Sequence, residues 1–226
     1  MGKLFALAVS PALICLFYMY IRDKYEKEPL RLLLVGTIFG IVSVFPIMQL
    51  EHVLLSFMPI LSSDAEAVYT AFFVAALAEQ GMRFLLLFML TWQNHNLNEK
   101  LDGIVYAVFI SLGFALTENI LYVFNPLHGG LETAIMRAIV SVPSHGFFGI
   151  IMGYYFTMSK FENRFKTKYM LKAFFVPWLV HGIYDAILLY GHRFYLLVFV
   201  PFLAVMWYNG FRKINLHLKA SPFRKL

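Results

Sequence analysis

The sequence predicts an all-α fold, a polytopic transmembrane bundle of about seven spans, and three observations carry that reading. Hydrophobic residues fill 60% of the 226 positions and charged residues only 14%, against roughly 45–50% and about 25% in a soluble domain. The apolar residues fall into runs at 4–21, 31–55, 67–91, 103–124, 131–158, 170–190 and 194–210, and roughly 20 such residues cross ~30 Å of hydrocarbon. Lysine and arginine, finally, gather in alternate connections. The length leaves no room for a separate soluble domain, so 1–226 reads as a single integral membrane domain.

The first run, Leu4 to Ile21, follows Lys3 and holds the single cysteine, Cys15. It resembles a secretory signal but lacks a clear small-x-small cleavage site before Arg22, and reads as a retained span. One cysteine permits neither an intrachain disulfide nor a multi-cysteine metal site. The second run ends in Glu51-His52, read as interfacial, and Ser56 to Glu66, with Pro59 and Asp64, reads as a loop or a short interfacial helix. The third run carries Glu79 and Arg83, the fourth Glu118 beside Asn119, the fifth His145, and the sixth His181 and Asp185. After the seventh, the basic tail Arg212 to Lys225 is expected at anionic headgroups. His95, His128 and His192 lie in connections and are expected in solvent, while Trp92, Tyr122 and Tyr195 read as interfacial anchors.

The formal charge of +6 does not point to nucleic acid, because the basic residues occupy short connections rather than an aromatic-interleaved patch. They set topology instead. Connections 22–31, 92–102 and 159–172 and the C-terminal tail hold fifteen Lys and Arg, whereas the N-terminus and the intervening connections hold two, Lys3 and Arg193. Seven spans put these groups on opposite sides, with the N-terminus outside and the C-terminus cytoplasmic.

An ionisable side chain at mid-span costs roughly 2.5–3.5 kcal/mol on insertion scales, so each needs a partner, a water-filled cavity or a function. Glu79 and Arg83, four apart, share a helix face and can pair. His181 and Asp185 have the same spacing, and the carboxylate there can orient the imidazole or join it on a metal. At ~1.5 Å per residue, Glu79 lies ~18 Å, Glu118 ~9 Å, His145 ~21 Å and His181 ~14 Å below the outer ends of their spans. Four helices thus bring acids and imidazoles to the outer half of the membrane, where they can line one cavity. Gly113, Ala115, Ser141, Ser144 and Gly182 allow close helix approach beside them, and Pro143 frees a carbonyl one turn earlier.

Four motifs in this order, Ala78-Glu79-Gln80-Gly81-Met82-Arg83, Gly113 to Tyr122 (GFALTENILY), His145, and His181-Gly182-Ile183-Tyr184-Asp185, resemble the PrsW family of bacterial membrane proteases. Tyr18 to Pro29 (YMYIRDKYEKEP) is similar to that family's first cytoplasmic connection, so the likeness covers nearly the whole chain. The family is distantly similar to the CAAX-processing and bacteriocin-immunity peptidases, which use Glu and His from separate transmembrane helices. The resemblance implies a multi-pass hydrolase of the bacterial plasma membrane that makes the site-1 cut in a membrane-tethered anti-sigma factor, within regulated intramembrane proteolysis in a stress response. Its partners would be that protein substrate and the lipid bilayer, with no nucleic acid. One departure stands out: the family's Glu-Glu-x-x-Lys reads Glu79-Gln80-x-x-Arg83 here, so an amide replaces the second acid, and two readings follow, an inactivated form of the site or a natural member that relies on Glu79 alone.

On this reading the catalytic candidates are Glu79, Gln80, His145 and His181, supported by Arg83, Glu118, Asn119 and Asp185. A carboxylate, from Glu79 or from an acid restored at Gln80, acts with His145 to activate water. His181, oriented by Asp185, binds that water or stabilises the oxyanion, with Asn119 as a candidate amide donor. Two imidazoles and three carboxylates suit zinc in number, with Glu79, Glu118, His145, His181 and Asp185 as candidate ligands, but no H-E-x-x-H signature demands it. A metal-free and a zinc site both stay open. Two other classes compete: a proton- or cation-coupled transporter, against which no inverted repeat is visible, and a non-catalytic, substrate-binding pseudoprotease, for which Gln80 speaks.

Overall fold

The computed structural model describes residues 1–190 and 195–225; His192 and Arg193 lie outside the described residues. Its seven long helices are α1 (Gly2–Arg22), α2 (Leu30–Ser56), α3 (Ser63–Thr91), α4 (Asp102–Val123), α5 (Leu131–Phe161), α6 (Asn163–Tyr190) and α7 (Tyr195–Lys219). Each is long and apolar enough to cross a membrane, and the described residues contain no strand. The ambiguous stretch before the third span resolves into a short connection followed by helix from Ser63. Helix α7 continues through Arg212 and Lys213, so much of the basic tail is helical rather than a loose appendage.

Helix α4 is the centre of the bundle: 72% of its apolar window is buried, against 17% in α1 and α7. It packs on α1, α2, α3 and α5. Lipid tails are as apolar as these side chains, so close backbone approach rather than exclusion from water must hold the helices together. Glycine supplies it. A Cβ at Gly113 of α4 would stand 2.2 Å from the Thr37 carbonyl oxygen of α2, and one at Gly153 of α5 would stand 2.1 Å from that of Gly103 in α4. Gly153→Ala should therefore force α4 and α5 apart and lower stability by about 1–3 kcal/mol. Thermal unfolding in detergent measures this, and an unchanged midpoint would show that the crossing yields.

The connection between α1 and α2 is stapled to the same core. The Asp23 carboxylate accepts a bond from the Glu28 backbone N–H at 2.9 Å, Lys27 Nζ donates to the carbonyls of Tyr20 and Asp23, and Tyr106 of α4 donates its hydroxyl to Glu28. Burial pushes the Asp23 carboxyl from its ordinary 3.8 up to about 6, and burial likewise raises Glu28. A raised carboxyl holds its proton in the folded chain at pH values where the unfolded chain has released it. The resulting stabilisation is complete below the unfolded pKa and disappears as pH rises through the folded one. The thermal midpoint should thus fall between about pH 4 and about pH 7, and the double variant Asp23→Asn, Glu28→Gln should flatten that slope.

Two helices contain wide π-helical turns, Thr70–Ala76 in α3 and Arg137–Ser141 in α5. Such turns shift the phase of every residue that follows and gather at functional sites. Here each immediately precedes the polar residues of its span, Glu79 and Gln80 in α3 and His145 in α5.

Candidate active site

The structure brings the polar residues of four spans together beside a cavity of about 680 Å³. Its walls are largely apolar, with Val44 and Ile47 from α2, Val74 from α3, Phe114 from α4 and Leu188 and Phe199 from α6 and α7. Glu79, Glu118, His145, His181 and Asp185 line the same space. An apolar cleft with a few convergent polar groups is the usual form of a reaction or binding site.

Glu79 and Arg83 form the expected i, i+4 ion pair on α3, buried at 5% and 1% exposure. The guanidinium reaches further: Nη2 lies 3.0 Å from His145 Nδ1 on α5, and the group stacks over the Phe114 ring at 4.3 Å. On its other side His145 Nε2 is 3.0 Å from Glu118 Oε2 of α4. Arginine only donates and a carboxylate only accepts, so the neutral ring keeps its lone pair on Nδ1 and its proton on Nε2. His181 mirrors this arrangement, with Gln80 Nε2 2.9 Å from Nδ1 and Asp185 Oδ2 3.0 Å from Nε2. The two imidazoles stand 6.0 Å apart, and Phe148 stacks on His181 at 4.6 Å. Between them lies Glu79, whose Oε2 is 3.9 Å from His145 Nδ1 and 3.9 Å from His181 Nε2.

Not every expected residue takes its expected place. Asn119 is fully buried, donates Nδ2 to the Ala8 carbonyl at 2.7 Å and accepts from Arg137 Nε at 2.9 Å. Its amide ties α1 and α4 to α5, its nitrogen is turned to the Ala8 carbonyl, and Asn119 is not among the residues that line the cavity. Gln80 is fully buried and is not among the residues that line the cavity; it stands behind His181. Arg137 of α5 joins the site as well: Nη2 pairs with Glu118 at 2.6 Å and the guanidinium covers the Tyr122 ring at 4.0 Å. Tyr122 and Glu51, read as interfacial, both line the cavity.

The donor chemistry here suits zinc, but the arrangement does not. All four imidazole nitrogens face hydrogen-bond partners, and the Arg83 cation sits on Glu79 and against His145. Among the described residues no three His, Cys, Asp or Glu side chains are placed to hold a metal ion. The five candidate ligands line one cavity without forming one coordination shell.

Against known proteins, the family model described as PrsW family intramembrane metalloprotease matches residues 28–206. The chain is 38% identical to Protease PrsW of Geobacillus kaustophilus over 217 residues, which cover 95% of this chain and 92% of that one. It is 35% identical to Protease PrsW of Clostridioides difficile (96% and 92% covered) and 32% identical to that of Bacillus subtilis (94% of each). No solved structure matches the chain significantly. Full-length similarity and seven apolar helices together make this a multi-pass bacterial membrane peptidase acting on a membrane-associated protein, and the chain belongs to the PrsW family of intramembrane proteases.

Proposed function

We propose that this protein makes the site-1 cut in a membrane-tethered anti-sigma factor, with Glu79 as the base that activates water. The observation that carries the reading is the position of Glu79 at 3.9 Å from both imidazoles, at a largely apolar cavity. Glu118 and Asp185 each face an imidazole N–H, and Glu118 is further held by Arg137. Glu79 is the carboxylate facing both rings. A water beside it gives a proton to the carboxylate and attacks the scissile carbonyl; the protonated Glu79 then returns that proton to the leaving amine as the C–N bond breaks. The single Nε2–H of His181, which Asp185 accepts at 3.0 Å, then passes from that carboxylate to the oxygen on which charge develops. Arg83 pairs with Glu79 and aims it, and His145 is fixed by Glu118 and Arg83. With the N-terminus outside, the cavity opens towards the outer half of the membrane, where a tethered substrate presents a juxtamembrane segment.

No step here is routed through a metal, since the donors do not converge on one. Cleavage in purified membranes is expected to persist after exhaustive chelation; loss that zinc restores would show that the donors regroup around it. The anti-sigma substrate is tested by co-expression with tethered candidates, using the chain as it stands and carrying Glu79→Gln or Gln80→Glu. Cleavage by the unaltered chain, abolished by Glu79→Gln, supports the proposal. Gln80 favours a second reading, a silent substrate-binding relative, and cleavage confined to Gln80→Glu would establish it.

A further inference from the structure

We infer that Gln80 is a positioning residue which holds His181 in its Nε2–H tautomer, so that this imidazole acts as a hydrogen-bond donor and not as a base or metal ligand. Nε2 of His181 faces Asp185 Oδ2 at 3.0 Å and Glu79 Oε2 at 3.9 Å. Carboxylates only accept, so a bare nitrogen there would set its lone pair against both of them, and Nε2 carries the proton. The remaining lone pair of the neutral ring is then on Nδ1, where an acceptor must be matched by a donor. Gln80 provides one, its amide nitrogen 2.9 Å away. Turning the amide over would oppose Oε1 to that lone pair and leave both amide hydrogens without this partner; as it stands, only Oε1 is buried without a partner.

Gln80 acts wholly through the ring. It is fully buried, does not line the cavity, and bonds to the histidine on the face opposite Glu79, while Phe148 stacked at 4.6 Å restrains the ring's tilt. A carboxylate at the same place would reverse the assignment. It can only accept, so Nδ1 would have to carry a proton. Nε2 would then either turn a lone pair towards Glu79 and Asp185, or keep its proton and make the ring an imidazolium. An amide in place of an acid thus changes what His181 offers to the cavity without changing its position. The consequence for hydrolysis rests on the function proposed above; the tautomer does not.

Nitrogen-15 labelling of the histidines, followed by solid-state NMR of the full chain in lipid bilayers, measures the tautomer without substrate, with His181 assigned by comparison with His181→Gln. At neutral pH the unaltered chain should show His181 protonated at Nε2 and bare at Nδ1, and Gln80→Glu should move a proton onto Nδ1. A protonated Nδ1 in the unaltered chain, or a His181 signal unchanged by Gln80→Glu, would overturn the inference. Because the unaltered chain gives the decisive signal, the inference can be overturned even if the variant does not fold. Absence of proteolysis alongside the expected tautomer would count against the proposed function alone.

Discussion

Exchanging Glu79 for glutamine is expected to reduce cleavage of a tethered substrate by about 10²–10⁴-fold, the usual contribution of a positioned general base. Glutamine is nearly isosteric with glutamate, so it keeps the side chain beside His145 and His181 but removes the proton acceptor. The neighbouring groups cannot substitute. The Nδ1 lone pair of His145 is occupied by Arg83 and that of His181 by Gln80, and the other carboxylates, Glu118 and Asp185, face imidazole N–H groups. Loss of a group needed only in the reaction should lower kcat with little change in KM. Single-turnover cleavage of a labelled substrate in proteoliposomes separates the two. A variant retaining more than about a tenth of the rate would place the base elsewhere, since even the weaker general bases contribute about 10²-fold.

The parts of this site that could be read from sequence were those set by local geometry. Glu79 with Arg83, and His181 with Asp185, meet because residues four apart share a helix face, and both pairs form as expected. Depth along each span was also informative, because the straight rise of a helix converts residue counts into distance. It placed Glu79, Glu118, His145 and His181 at depths from which they could line one cavity, and they do line one. What escaped was lateral: which side of a span faces which neighbour. Two π-helical turns reset the helix phase before Glu79 and His145, and no simple residue pattern marks them. Arg137 was the legible omission. An arginine inside a span demands a carboxylate, and Glu118 had no partner on its own helix, so the pairing of the two followed from charge alone. Asn119 was misread because adjacency to Glu118 in sequence turns it by about 100° around the helix, towards the Ala8 carbonyl.

Arg83 should be the residue whose loss costs the fold most. It is 1% exposed, it pairs with Glu79, and it donates to His145 and stacks on Phe114, which ties α3 to both α4 and α5. Arg83→Leu would leave the Glu79 carboxylate buried without a countercharge, a change that typically costs about 3–5 kcal/mol, and would strip His145 Nδ1 of its donor. Such a loss is a large fraction of the stability of a typical domain, about 5–15 kcal/mol, so the variant should melt far below the parent or fail to accumulate in the membrane. Adding Glu79→Gln to Arg83→Leu removes the stranded charge and should recover much of that loss, whereas two independent packing defects would add. Arg83→Lys keeps the charge but not the planar fork that serves Glu79 and His145 together. Its melting temperature should lie close to the parent's while its cleavage rate falls. Equal stability of Arg83→Leu with and without Glu79→Gln would mean that the buried carboxylate does not depend on this cation.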